Sequence, residues 1–338
     1  MQAAIRAIAS YLPGKVLSNQ DLAADFPDWT AAKISDKTGI DERRVTAEGE
    51  CSSDLAVEAG RRLFESGACA PEAIDYLLLC TQSPDYFLPT TACLVQHRLG
   101  LPTSAGALDF NLGCSGWVAG LGLAHGLIVS GQARRVLLIT AETYSKFIHP
   151  GDKSVRTIFG DAAAATLVEA IEDGQGGMGP FLYGTDGAGA ENLIVPAGGM
   201  RRPRTAETAR VQEDDQGNRR SQDHLYMNGP EIFNFTLRIV PPMVHGLLER
   251  AGLTAADVDW FVFHQANQYM LEHLRKKLKV PAEKYPIFMR HCGNTVSSTI
   301  PIVLERLMAE GRISAGQRVM VVGFGVGYSW AAAMIRWA

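Results

Sequence analysis

The sequence predicts an α/β protein built from two related halves, and three observations carry that prediction. Apolar runs of strand character alternate with helix-like stretches along the 338 residues, the pattern of sheets buried between helices. The order strand–loop–helix–strand then recurs at an offset of 180–184 residues. Composition agrees: 46% apolar and 20% charged residues are enough for a large core and exclude disorder.

Taken in order, the opening MQAAIRAIASYLPG lacks the charged and apolar regions of a signal peptide and reads as a first strand. Residues 52–67 read as a helix, 74–81 (IDYLLLCT) as a strand, 116–131 as a long helix and 134–142 (RRVLLITAE) as a strand. The second half repeats the series with a strand at 258–265 (VDWFVFHQ), a helix at 298–311 and a strand at 318–325 (RVMVVGFG). The matches are specific in order. The strand ending at Cys80 pairs with the strand ending at His264, and Gly113-Cys114 with Gly293-Asn294, each pair of residues preceding a helix. Two halves follow, 1–174 and 175–338. Residues 199–226 break the pattern with six Arg, five acids and few large aliphatics, and read as a solvated excursion, a mobile charged loop or a lid.

Several function classes drop out. With 32 Lys and Arg against 36 Asp and Glu, the net charge is −4, which argues against nucleic acid as the main partner. No uninterrupted apolar run reaches the length of a membrane span. The six cysteines, at 51, 69, 80, 93, 114 and 292, contain no CxxC pair, so neither a disulfide framework nor a zinc or other metal site is expected, and the compartment expected is a reducing cytoplasm.

Three polar residues stand at the punctuated positions of the repeat. Cys114, in LDFNLGCSGW, follows an apolar strand and opens a helix. Helix N-termini favour thiolates, so a lowered thiol pKa is expected, and Gly113, Ser115 and Gly116 would leave room for a substrate. The alternative is a buried structural Cys. His264 sits at the carboxyl end of a strand, the edge where α/β proteins hold ligands, or is a satisfied strand-end histidine. Asn294 occupies the position matching Cys114, or caps a helix. Pseudo-symmetry would bring the three together as a nucleophile and two N–H donors, an acyl-transfer constellation. Asp161, in FGDAAAA, reads as a helix cap or a backbone partner, His125 and His273 as helix residues, and His291 and Cys292 as shaping the Asn294 loop.

These motifs together resemble the condensing enzymes of the 3-oxoacyl-acyl-carrier-protein (ACP) synthase III group: LDFNLGCSGW, FHQAN at 264–267 with its preceding Phe, CGNT at 292–295, IFGDAAAA at 158–165, KTGIDERR at 37–44 and GFGVGYSW at 323–330. The resemblance spans essentially the whole chain. It implies a thiolase-like, five-layered αβαβα fold of two pseudo-symmetric halves, a homodimer, and no cofactor beyond the thioester substrates, acyl-CoA or acyl-ACP and malonyl-ACP. It implies that Cys114 takes the acyl group, that N–H groups of Cys114 and of the Val326–Gly327 turn form the oxyanion hole, and that His264, neutral and donating through Nε2, and Asn294 stabilise an enolate formed by decarboxylation. Asn267 would join the substrate contacts.

The chain departs from the family pattern at named positions. Lys33 and Lys37 stand where a Trp and an Arg hold the CoA adenine, and Lys153 replaces a second Arg. Lys lacks the planar face of either, so an ACP-bound donor is expected, with Arg275, Lys276, Lys277 and Lys279 facing the acidic carrier. Tyr269 stands where an Arg is expected. Leu88 replaces a bulky aromatic that limits the acyl pocket across the dimer, with Phe87 beside it, so an acyl group longer than acetyl would fit. GDAAAA replaces GDGAGA, a change expected to touch helix packing. A specialised paralogue follows. Acyl transfer to an oxygen or nitrogen acceptor, a non-catalytic partner subunit and a cysteine hydrolase remain as competing readings.

Overall fold

The computed structural model describes residues 2–172 and 176–338; the expected boundary after residue 174 lies outside them. Five strands, β1 (Gln2–Tyr11), β2 (Tyr76–Cys80), β3 (Gly106–Phe110), β4 (Arg135–Glu142) and β5 (Ala162–Ile171), form one sheet in the order β1-β5-β4-β2-β3. Four more, β6 (Gly177–Thr185), β7 (Trp260–Phe263), β8 (Arg318–Gly325) and β9 (Ser329–Arg336), form a second in the order β6-β9-β8-β7. The sense of each pairing repeats as well. β2 runs parallel to β4 as β7 does to β8, and β4 is antiparallel to β5 as β8 is to β9. Among the described residues the second sheet has no counterpart of β3.

Alternation along the strands explains the layering. Leu78, Val136 and Leu138 face the second sheet, while their neighbours Leu77, Leu79, Leu137 and Ile139 face outward. Val319 and Val321 face inward, and Met320 and Val322 outward. Both faces of both sheets are therefore apolar and need helices. Helices α1 (Ser52–Glu65) and α2 (Thr91–Arg98) cover the outside of the first sheet. Helices α4 (Gly229–Ala251) and α5 (Gln268–Leu278) cover the second. Between the sheets lie α3 (Gly116–Val129) and α6 (Thr299–Ala309). Full burial of each Leu, Ile or Val there contributes about 1.5–3 kcal/mol. α3 buries Trp117, Val118, Leu121, Ala124 and Ile128 between the sheets and leaves Leu123 and Val129 exposed. Its Gly120 lets the backbone approach Leu138 and Phe110, where a Cβ would come within 2.6 Å of Leu138 Cδ1.

Ala162–Ala165 are strand residues of β5, all fully buried, and Ala163 and Ala165 pack in one cluster with Leu55, Ala56 and Ala59 of α1, so the GDAAAA run lies where a helix packs on the sheet. One expectation changes here. Residues 199–226 are not a loose charged loop. They carry a two-residue antiparallel pairing, Gln212–Glu213 with Arg219–Arg220, and bury Thr208, Asn218, Ser221 and Leu225. Arg220 bonds the buried Asp152 at 3.0 Å and Asp214 at 3.0 Å, and Arg219 N donates to Gly151 O. Arg220, paired with Asp152 and Asp214, fastens the segment, while Arg201, Arg202, Arg204 and Arg210 are exposed.

Candidate active site

Cys114 lies between β3 and α3, only 5% exposed, in an apolar cluster with Tyr144, Phe159, Leu193, Leu225 and Val296 and the half-buried Val326. The amides of Cys114 and Val326 point at its sulfur. They are outweighed: burial, followed by the charge of Glu142, pushes the thiol up to about 12. The expected acidic thiol is therefore corrected. The helix end does supply N–H groups, but desolvation of a charge in an apolar pocket is the larger effect.

The small residues around Cys114 serve packing and not substrate access. A Cβ on Gly113 would come within 2.5 Å of Val326 Cγ1 and Gln82 Oε1, and one on Gly116 within 2.2 Å of Cys80 Sγ. Ser115 Oγ is bonded to Ser329 Oγ at 2.7 Å. Two glycines of β8 lie directly under the loop. Gly325 packs on Cys114 Sγ and Cβ, each 2.9 Å from a built Cβ, and Gly323 on the Cys114 carbonyl at 2.7 Å.

His264 follows β7, is 2% exposed, and its amide donates to Val322 O. Its Nδ1 is 2.8 Å from Thr299 Oγ1, and its ring stands edge-on to Phe324 at 5.6 Å. Burial lowers the imidazole to about 3, so it is uncharged at neutral pH. Asn294 caps no helix in the usual way. Its Oδ1 accepts from Val296 N at 2.9 Å, its Nδ2 reaches Ala266 O at 3.4 Å, and its backbone bridges Phe159. Val296 has φ +55°, a strained setting for a β-branched residue. A chain of contacts joins the three residues. Phe324 separates His264 from Gly325 under Cys114, while Val296 links Asn294 to the Cys114 cluster.

The remaining site residues are placed as follows. Val326 O accepts from Ser329 Oγ, and Gly327 has φ +134°. Asn267 is the N-cap of α5, its side chain accepting from Met270 N at 2.8 Å. Lys37 and Lys33 lie over the ring of Trp29, at 4.8 and 5.3 Å. Lys153 starts the short helix Lys153–Arg156 and packs against Gly217. Phe87 and Leu88 are 76% and 87% exposed. In α5, Arg275 is bonded to Glu272 and Val280 O, Lys277 Nζ to Leu237 O, and Lys276 is exposed. Asp161 accepts from the amides and hydroxyls of Thr46 and Ser145, as a backbone partner should. Among the described residues no cluster of three His, Cys, Asp or Glu is placed to hold a metal. A surface cavity of about 310 Å³ at Lys15, Val45, Ser145 and Phe159 shares Phe159 with the Cys114 cluster, but Cys114, His264 and Asn294 do not line it. Sequence reading missed Glu142, Trp29, Thr299 and the Tyr144–Phe159 wall; the Gly-x-Gly at 323–325 was the available signal for the floor under Cys114.

Comparison with known proteins decides the family. Residues 108–187 match the family profile of 3-oxoacyl-ACP synthase III, and residues 248–337 that of its C-terminal part. A β-ketoacyl-ACP synthase III from Caldanaerobacter subterraneus subsp. tengcongensis is 38% identical over 99% of this chain and 98% of its own. The chain belongs to the 3-oxoacyl-ACP synthase III family.

A crystal structure of a 3-oxoacyl-ACP synthase III superposes with a TM-score of 0.99 at 55% identity, covering all of both chains. The priming β-ketosynthase of the R1128 polyketide pathway superposes at 0.85 with 29% identity, covering 99% of this chain and 96% of that one. The family fold is thiolase-like, and the layers described above are its αβαβα arrangement. Within that frame this chain places an aromatic plane, Trp29, one helical turn before Lys33, and surrounds it with two ammonium groups.

Proposed function

We propose that this chain is an acyltransferase that forms a carbon–carbon bond by decarboxylative Claisen condensation of a Cys114-bound acyl group with malonyl-ACP. The observation that carries the reading is a thiol enclosed by apolar side chains, faced by two backbone amides, and linked through Val296 and Phe324 to an uncharged imidazole and a carboxamide. In the first half-reaction the sulfur bonds the acyl carbon and the donor thiol departs with the proton. The Cys114 and Val326 amides, with the Gly327 turn holding the second, receive the oxyanion. In the second, the malonyl carboxylate leaves as CO2. The enolate oxygen accepts from His264 and Asn294, and the enolate carbon attacks the acyl group and releases the thiolate. Condensation calls for the His264 proton on Nε2, facing the enolate, and Thr299 Oγ1, 2.8 Å from Nδ1, holds the ring in place.

The donor in this reading is an acyl-ACP, supported by Lys33, Lys37 and Lys153 in place of planar side chains and by the exposed Lys276 and Lys277 on α5. An acyl chain longer than acetyl is part of the same reading, supported by Leu88 in place of a bulky aromatic. A homodimer belongs to the same reading: β3 is an open edge strand, and the adjoining loop exposes Tyr86, Phe87 and Leu88. Six unpaired cysteines suit a cytoplasmic location. The departures support a specialised paralogue of the family.

Intact-mass measurement after exposure to acyl-CoAs and acyl-ACPs tests the first step, with Cys114→Ser abolishing loading. Malonyl-ACP added to the loaded enzyme should yield a 3-oxoacyl product, and His264→Ala or Asn294→Ala should load normally but condense about 10²–10³-fold more slowly, the usual loss for one preorganised donor. Loaded Cys114 that never condenses, or a silent Asn294→Ala, would replace this reading with acyl transfer to an oxygen or nitrogen acceptor.

A further inference from the structure

Glu142 ends β4 with no exposed surface. Its carboxyl oxygens accept from Ser297 Oγ at 3.1 Å, Ser83 Oγ at 3.3 Å and Gln82 N at 3.1 and 3.3 Å. No cation is among these partners. The titratable groups that share its surroundings are Cys80, Cys114, Tyr144 and Asp161, all acids. A buried carboxylate without a cation is costly, and burial raises Glu142 to about 8.

The partners of Glu142 belong to the loops that make the site. Gln82 packs against Gly113, the residue before Cys114, and its Oε1 accepts from the Tyr144 hydroxyl. Ser297 lies three residues after Asn294 and beside Cys80. One carboxyl thus ties a loop of the first half to the Asn294 loop of the second, within Coulombic range of the nucleophile.

We propose that Glu142 is a positioning residue whose charge modulates Cys114: as a neutral acid it holds both loops and leaves burial alone to oppose ionisation of the thiol, and as a carboxylate it opposes that ionisation further. The two groups share one negative charge, so the second ionisation is resisted by the first. Acyl loading is accordingly served by the form in which Glu142 keeps its proton. This inference rests on Cys114 being the nucleophile.

The test is the rate of Cys114 alkylation by iodoacetamide between pH 6 and 10, read on the peptide that contains Cys114, in the wild type and in Glu142→Gln. Gln keeps the shape of the carboxyl and cannot ionise. The two proteins should react equally at pH 6.5. Near pH 8 the wild-type log rate should flatten while the variant continues to rise, so that Glu142→Gln reacts about tenfold faster at pH 9.5, the equivalent of one pKa unit. Thermal midpoints give a second readout: the wild type should lose more stability than the variant between pH 6 and 9, because the unfolded Glu142 is ionised there while the folded one holds its proton up to about 8. Superimposable alkylation profiles, or equal stability losses, overturn the proposal. Acyl loading of a Cys114→Ser protein would instead overturn the nucleophile assignment, whichever way Glu142→Gln behaves.

Discussion

His264 is a base that the fold keeps from charging. Its environment offers Thr299 and an aromatic edge, and burial lowers its pKa from 6.5 to about 3. The unfolded chain therefore takes up a proton below pH 6.5 that the folded chain refuses, and the stability this neutral site has above that pH is lost as pH falls toward 3. Between pH 7 and pH 4 the loss from this one residue is about 3 kcal/mol. Chemical denaturation of wild type and His264→Asn at both pH values measures it. The variant should lose less on acidification, and equal losses would place the acid sensitivity elsewhere. The identity of such residues was legible in the sequence: Gly-Cys-Ser-Gly after a strand, a strand-end His, and Asn at the repeat position of Cys. The ionisation of Cys114 was not. A helix N-terminus is a local feature and can be read along the chain, whereas Glu142 comes 28 residues later in the sequence and meets the thiol only through the fold.

At the scale of elements, β8 supplies the floor of the site, and its two glycines have steric reasons. Neither Gly323 nor Gly325 has a positive φ; each is small because the Cys114 segment rests on it. Gly325→Ala places a methyl 2.9 Å from Cys114 Sγ, and overpacking of this kind costs about 1–3 kcal/mol. Acyl loading monitored by intact mass should fall at least tenfold while the circular dichroism spectrum is retained; loading at the wild-type rate would show that the loop shifts freely. The strands themselves were legible because both faces are apolar and the runs are bounded by turns. The 199–226 segment was not, since its Arg and acid content looks the same whether the charges face water or, as with Arg220 and Asp152, each other. Arg275 shows the same ambiguity: composition counts it as a basic docking group, and only the fold shows that Glu272 one turn earlier pairs with it.

For the whole molecule, the repeat in sequence became two sheets of matching order and sense. Among the described residues β3 has no counterpart in the second sheet, and a repeat carries no signal for an element that does not recur. That asymmetry leaves β3 as the edge beside the exposed Phe87 and Leu88. Introducing charge there, Phe87→Glu with Leu88→Glu, should turn the dimer proposed above into a monomer in light scattering and reduce activity; an unchanged mass would rule this edge out as its interface. The contact between Cys114 and Gly325 has a further consequence, for biosynthesis. A nascent chain that has emerged through β5 already carries Cys114, but β8 is still more than a hundred residues away in the sequence. Under the role proposed for Cys114, acylation should await the end of synthesis without any inhibitor, since the order of translation withholds the floor of the site until the last strands arrive.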